Sequence, residues 1–136
     1  MLTHHELRFH KISNKDGSAK CDIFETGKQT QIVIGVVFDI AESEKPLLDK
    51  AEGLGNGYET KDVAVELHNS IIVEAYTYYA THIDPSLRPF HWYKQHVLAG
   101  AFEHGLPEDY VRAIHAIESI DDPDDTRHQN ELAIYL

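Results

Sequence analysis

Gln31-Ile32-Val33-Ile34-Gly35-Val36-Val37-Phe38-Asp39-Ile40 is a nearly continuous apolar run rich in β-branched residues. Side chains of an extended chain alternate between faces. Ile32, Ile34, Val36, Phe38 and Ile40 therefore share one face, while Val33 and Val37 make the other apolar too. A strand apolar on both faces belongs at the centre of a sheet, covered on each side. Outward from this run the pattern changes to half-buried strands. Val63, Val65 and Leu67 alternate with Asp62, Ala64 and Glu66; His68-Asn69-Ser70 reads as a turn; Ile71 to Ala80, rich in Val, Thr and Tyr, reads as a further strand. Upstream, Glu6 to Lys11 alternates more weakly before the turn Asn14-Lys15-Asp16-Gly17. Adjacent strands with short turns predict a largely antiparallel or mixed sheet.

Helical spacing occupies three segments. Glu44 to Glu52 puts Leu47, Leu48 and Ala51 on one stripe, with Pro46 in the first turn and Gly53 at the stop. From about Phe90 to His104, Trp92, Tyr93, Val97 and Ala101 share a face, and Gly105 suits the position after the C-cap. Pro107 opens a third helix with Glu108 and Asp109 near its positive end and Tyr110, Val111, Ile114 and Ile117 as its buried stripe. Strands followed by helices predict an α+β fold, a curled sheet with helices packed against it.

The 136 residues and 15.5 kDa support one domain, 1–136, and no linker or repeat divides it. Acidic residues outnumber Lys and Arg by 23 to 12, a formal charge of −11, which argues against nucleic acid and anionic membranes as partners. The acidic excess gathers late: residues 103–136 carry nine acidic and two basic side chains. Its densest part, Asp121-Asp122-Pro123-Asp124-Asp125, reads as a solvated turn in an acidic tail from about 120. No apolar run approaches the roughly 20 residues of a membrane span, and the first residues do not read as a signal peptide. A single cysteine, Cys21, excludes an internal disulfide and fits a cytoplasmic setting.

The most informative stretch for chemistry is Asp49-Lys50-Ala51-Glu52-Gly53-Leu54-Gly55-Asn56-Gly57-Tyr58. Glu52 falls at the negative end of a helix, where a carboxylate is disfavoured, and Gly53, Gly55 and Gly57 permit positive φ or close approach to a ligand. If desolvated there, Glu52 would have the raised pKa of a general acid–base group; otherwise it is a surface glutamate beside a flexible turn, the reading that the local pattern alone favours. The glycines lack the G-x-G-x-x-G spacing and follow a helix, and no P-loop Lys-Ser/Thr accompanies them, so dinucleotide binding is set aside. Ten histidines, at 4, 5, 10, 68, 82, 91, 96, 104, 115 and 128, include no His-x-x-x-His pair and no H-E-x-x-H. Solvated or hydrogen-bonded histidines are expected, and no metal. Cys21 lacks the basic surroundings of a reactive thiol and reads as a packing residue. Tyr58, Tyr76, Tyr78, Tyr79 and Tyr93 lie on elements able to converge on the glycine loop, as ligand-orienting hydroxyls or as core.

The order of these segments resembles the gamma-glutamylcyclotransferase family, also described as AIG2-like. The resemblance begins near Leu7-Arg8-Phe9-His10-Lys11 and Asp16-Gly17-Ser18-Ala19-Lys20. It continues through Ile34-Gly35-Val36-Val37-Phe38, then Leu48-Asp49-Lys50-Ala51-Glu52-Gly53 with Tyr58. Trp92-Tyr93, Leu98-Ala99-Gly100-Ala101, Glu103-His104-Gly105-Leu106-Pro107 and Tyr110 complete it. It implies a small, mixed, barrel-like α+β fold and a cofactor-free enzyme releasing 5-oxoproline from γ-glutamyl compounds, with Glu52 as the general acid–base residue. Gly53, Gly55, Gly57, Tyr58 and Tyr93 would line the substrate site. The family opens with a strand and a Tyr-x-x-Gly-Ser-Asn loop that this sequence does not show. That departure fits a shortened chain, a space filled by another chain, or a non-catalytic member binding a small ligand or a protein. The family, and the sheet edge that such a start would leave, also imply a homodimer.

Overall fold

The computed structural model describes residues 1–135. Two hairpins form its framework. In the first, β2 (His5–Ile12) runs antiparallel to β3 (Ala19–Glu25), with Leu7 opposite Ile23, Arg8 opposite Asp22 and Phe9 opposite Cys21. The ladder then slips to Lys11 opposite Lys20, so His10 has no cross-strand partner; the bulge bends the strand there. The expected turn closes this hairpin, with Gly17 at φ 73°. In the second, β5 (Tyr58–Glu66) pairs without interruption with β6 (Ile72–Ala80), from Tyr58 opposite Ala80 to Glu66 opposite Ile72. The hairpins are tied by side chain and backbone: Ala80 N–H donates to the buried Asp22 carboxylate at 2.8 Å, and Ile12 N–H to His82 O at 3.0 Å. Asp22 in turn binds His10 Nε2 at 2.6 Å, both side chains out of solvent.

Two helices cover the first hairpin. Phe9 and Ala19 pack against Ala101 of α2 (His91–Glu103) and Ile114 of α3 (Glu108–His115), with Leu7, Tyr93, Val97 and Tyr110 around them. The apolar stripes expected of these helices are thus the ones buried. Gly105, at φ 65°, ends α2 in a Schellman motif: Gly105 N–H bonds to Phe102 O at 3.1 Å and Leu106 N–H to Ala101 O at 3.0 Å. Lys94 is buried beneath α2, and its ammonium donates to His115 O and Ile117 O at 2.7 and 2.8 Å. It satisfies carbonyls that the end of α3 would leave orphaned.

Four expectations need correction. The run 31–40 is not a central strand. Only β4 (Ile32–Val33) is paired, with β1 (Leu2–Thr3); beyond it the chain has no strand ladder, and Phe38 is 71% exposed. A strand needs a partner for every N–H and C=O, and two residues of β1 supply one for Ile32 and Val33 alone. For the same reason the described strands stand as three two-stranded antiparallel units and do not close a barrel. The Leu47–Ala51 stripe is not buried either: α1 (Lys45–Ala51), entered through a 3-10 turn at Glu42–Glu44, has no buried residue. Finally, the acidic segment is more than a solvated turn. Asp122 is buried, accepting from Trp92 Nε1 at 3.0 Å, and Asp124 caps α4 (Asp125–Leu132) by accepting from Arg127 N–H at 3.1 Å. Its charge is used to satisfy an indole and a helix end. Among the described residues no helix is long and apolar enough to cross a membrane.

Candidate active site

The α1 helix ends in the same motif as α2. Glu52 is its C-cap residue; Gly53 N–H bonds to Lys50 O at 3.3 Å and Leu54 N–H to Asp49 O at 2.9 Å. Closing both bonds requires the left-handed conformation at the next residue, which Gly53 adopts at φ 80°. This is the physical reason Glu52 is followed by glycine. Gly55 and Gly57 also have positive φ, 79° and 106°, and the loop folds back on itself through Asn56 N–H to Gly53 O and Gly55 N–H to Tyr58 O. Asn14, from the β2–β3 turn, holds the loop from outside with Nδ2 donating to Asn56 O at 2.9 Å.

Tyr58 and Tyr93, on elements distant in sequence, meet at the backbone of Cys21. The Tyr58 hydroxyl donates to Cys21 O at 2.8 Å, and Cys21 N–H donates to the Tyr93 hydroxyl at 3.0 Å. One β3 residue is thereby clamped on both polar groups, and the Tyr93 hydroxyl also faces the Cys21 thiol. Burial, followed by the Cys21 thiol and, for Tyr58, the charges of Asp22 and Glu52, pushes both phenols above the ordinary tyrosine range. They stay protonated and act as hydrogen-bonding groups, not bases. Burial also pushes the Cys21 thiol up to about 11, so Cys21 is a packed thiol and not a nucleophile.

A second network stands beside the loop. The Tyr78 hydroxyl donates to Asp49 at 2.5 Å, and Lys45 Nζ pairs with the same carboxylate at 2.9 Å while lying 4.9 Å from the Tyr76 ring centre. The Tyr78 hydrogen bond and the Lys45 ammonium hold Asp49 below the usual carboxylate range. Desolvation, the Asp49 bond and neighbouring negative charge that includes Glu52 push Tyr78 upward.

Glu52 is exposed. The desolvated carboxylate imagined from the sequence is thus not found, because the unburied α1 supplies no cover. Of the other expected site residues, Gly53 lies against the Tyr58 ring, Gly57 is buried under Lys11, and Gly55 faces open space. Tyr79 is opposite Glu59 in the second hairpin and near Lys61. Two residues at the loop were not singled out in the sequence. Asp49 carries the legible signal of an i, i+4 pair with Lys45; Lys11 is placed by the bulge in β2, which leaves no mark in the sequence pattern. Among the described residues no group of three His, Cys, Asp or Glu side chains is arranged to hold a metal ion.

Comparison with known proteins places these features in a family context. The family model described as "AIG2-like family" matches residues 32–114. A solved structure titled "Gamma-glutamyl cyclotransferase" has a TM-score of 0.80 and 28% identity, covering 90% of this chain and 73% of that one. A crystal structure of the uncharacterized human protein loc79017 has a TM-score of 0.79 at 28% identity, covering 89% of this chain and 73% of its own. The comparison with curated proteins gives no match.

Proposed function

The chain belongs to the AIG2-like family, and on that footing we propose that it is a gamma-glutamyl cyclotransferase acting on small γ-glutamyl amino acids or peptides. The observation that carries this reading is the loop itself, a carboxylate on a helix C-cap followed by glycines that fold against Tyr58. In the proposed reaction Glu52 takes a proton from the substrate's α-ammonium. The freed amine attacks the γ-carbonyl carbon, forming the C–N bond of the five-membered ring. The attacking nitrogen, now positively charged, loses its second proton to solvent, and collapse of the tetrahedral intermediate breaks the bond to the departing amino group, which receives the proton from Glu52. The products are 5-oxoproline and a free amino compound. Nucleophile and electrophile belong to one molecule, so holding the substrate folded is the main task and no covalent enzyme intermediate is needed. Tyr58, whose hydrogen is committed to Cys21 O, offers its lone pairs to the ammonium; Tyr93, which receives Cys21 N–H, lines the site and helps to orient the substrate. The enzyme is read as cytoplasmic and as a homodimer, the latter supported by the exposed apolar run from Val36 to Ile40.

The test is 5-oxoproline release from a panel of γ-glutamyl dipeptides by the parent and by Glu52→Gln. Loss of a general acid–base group costs about 10²- to 10⁴-fold, and a drop of that size in kcat is expected with the fold intact. Comparable release by the two proteins would remove Glu52 from the reaction. A second reading, a non-catalytic member that binds a small ligand or a protein, is favoured by the exposure of Glu52; it predicts no release by the folded parent.

A further inference from the structure

Lys11 is a buried cation that the reaction above does not use. It is 6% exposed, on β2 just past the bulge. Its Nζ makes no hydrogen bond and no ion pair among the described residues, and its nearest aromatic feature is the Tyr58 ring, with the centroid 4.8 Å away. The other partly or fully covered lysines are accounted for: Lys94 by two carbonyls, Lys45 by Asp49, Lys61 by His5 and Glu25. Lys20, over the Tyr93 and Trp92 rings, feels the charge of Asp16. Burial alone, with no carboxylate to offset it, pulls Lys11 below the ordinary lysine range. The loop is shaped to admit this side chain: a Cβ on Gly57 would stand 2.8 Å from Lys11 Cε and 2.9 Å from Nζ. With its stem buried and its ammonium open to solvent, without a protein acceptor and held against a glycine loop, Lys11 is placed to receive an anion from outside the chain.

We propose that Lys11 Nζ is the anchor for the α-carboxylate of the γ-glutamyl group, a site for a carboxylate that sits on the same carbon as an ammonium. The assignment rests on the cyclotransferase reading. Tyr58 joins the two ends of that recognition: Lys11 lies over its ring, while at Gly53, next to Glu52, an added Cβ would stand 3.7 Å from its Cδ2. An α-amino acid head bridging them would turn its ammonium to Glu52 and its carboxylate to Lys11. The reverse orientation would set carboxylate against carboxylate and ammonium against ammonium. Lys11 would thus select for a free α-carboxylate and fix the amine in line with the γ-carbonyl.

The experiment uses the whole chain and two probes of the same ring, 5-oxoproline and its carboxamide, with binding read by calorimetry. The parent is expected to prefer the carboxylate by at least about tenfold. Lys11→Met should erase the preference, and Lys11→Arg should retain part of it. The parent's Lys11 Nζ and Cε NMR resonances should shift on adding 5-oxoproline, and the amine's pKa should rise, because a bound carboxylate favours its charged form. This NMR test needs no variant to fold. Equal affinity for the two probes, or a Lys11 resonance that ignores 5-oxoproline, would overturn the assignment. Turnover separates it from the function: a parent that releases 5-oxoproline while Lys11→Met keeps the same KM and probe preference leaves a cyclotransferase without this anchor. A Lys11-dependent preference in a parent without turnover leaves the anchor in a binding protein.

Discussion

At the scale of single residues, the site is held by hydrogen bonds to one backbone unit. Tyr58→Phe removes the donor to Cys21 O and leaves a part-buried carbonyl unpaired, a loss of about 1–2 kcal/mol in stability; urea unfolding should show a lower midpoint at unchanged slope. A second residue sets an acid limit. Burial works to raise the Asp16 carboxyl, but the Ser18 hydroxyl and amide, with Lys20 and Arg127, outweigh it and bring the group down to about 2 from 3.8. Arg127 of α4 pairs with it at 2.9 Å, joining the first hairpin turn to the C-terminal helix. A pKa depressed by folding gives stability that is complete above the unfolded value and lost as pH falls through the folded one. The contribution of Asp16 should therefore fade between about pH 4 and pH 2, by roughly 1–2 kcal/mol. Asp16→Asn should be less stable at neutral pH and should flatten the stability curve across that window, as read by chemical unfolding at a series of pH values.

At the scale of elements, the glycine loop that follows the Schellman end of α1 can be tested one glycine at a time. Gly55 faces open space, so Gly55→Ala meets only the backbone cost of φ 79°, about 1 kcal/mol. Gly57→Ala combines φ 106° with a contact of 2.8 Å to the end of the Lys11 side chain, which can swing aside, so its cost is again mainly the backbone's, about 1–2 kcal/mol. A midpoint unchanged from the parent in either variant would contradict the left-handed backbone of the loop. Much of this level was legible in the sequence. The turns at Asn14–Gly17 and His68–Ser70, the alternation in Val63–Leu67, the stops at Gly53 and Gly105 and the stripes of α2 and α3 are local signals, and local hydrogen bonds decide them. Glu52, the three glycines and Tyr58 stand together in the sequence, but the local pattern favours a surface glutamate there, and their grouping with Tyr93 as a site comes from the family resemblance. What was not legible depends on partners far along the chain. Pattern alone makes 31–40 a central strand, yet a strand exists only where another chain segment meets its ladder, and β1 meets just Ile32 and Val33. The exposure of Glu52 follows from the same gap, since the helix that carries it packs on nothing that buries it. The position of Lys11 turns on a one-residue slip in the β2–β3 register, and such a slip has no signature in composition or periodicity.

At the scale of the whole molecule, the unpaired run from Ile34 to Ile40 conflicts with the rest of the design. Val36, Val37, Phe38 and Ile40 are exposed, the Phe38 ring centre lying 6.4 Å from that of His104 at the end of α2, an apolar edge on a chain otherwise strongly acidic. Open edges of this kind pair with another strand unless charge or proline blocks them, and Asp39 is the one charge within the run. The sequence is self-complementary in the antiparallel sense. Centred on Val37, a second copy would set Val36 opposite Phe38 and Ile34 opposite Ile40, with Gly35 opposite Asp39, so apolar residues meet apolar ones and the carboxylate meets the residue with no side chain. A homodimer through this edge would complete the central strand that the pattern anticipates and add cover near α1. Opposing it is the charge of −11 on each copy, whose repulsion salt screens beyond roughly 10 Å at 0.1 M. Light scattering should therefore give twice the 15.5 kDa chain mass, with dissociation more marked at low ionic strength. Val37→Pro removes an N–H from the centre of the pairing at a residue exposed in the single chain, so it should leave a folded monomer with stability changed by less than about 0.5 kcal/mol. A parent that scatters as a single chain at every salt concentration, or a Val37→Pro variant that remains dimeric, would place the contact elsewhere and leave the apolar edge without this partner.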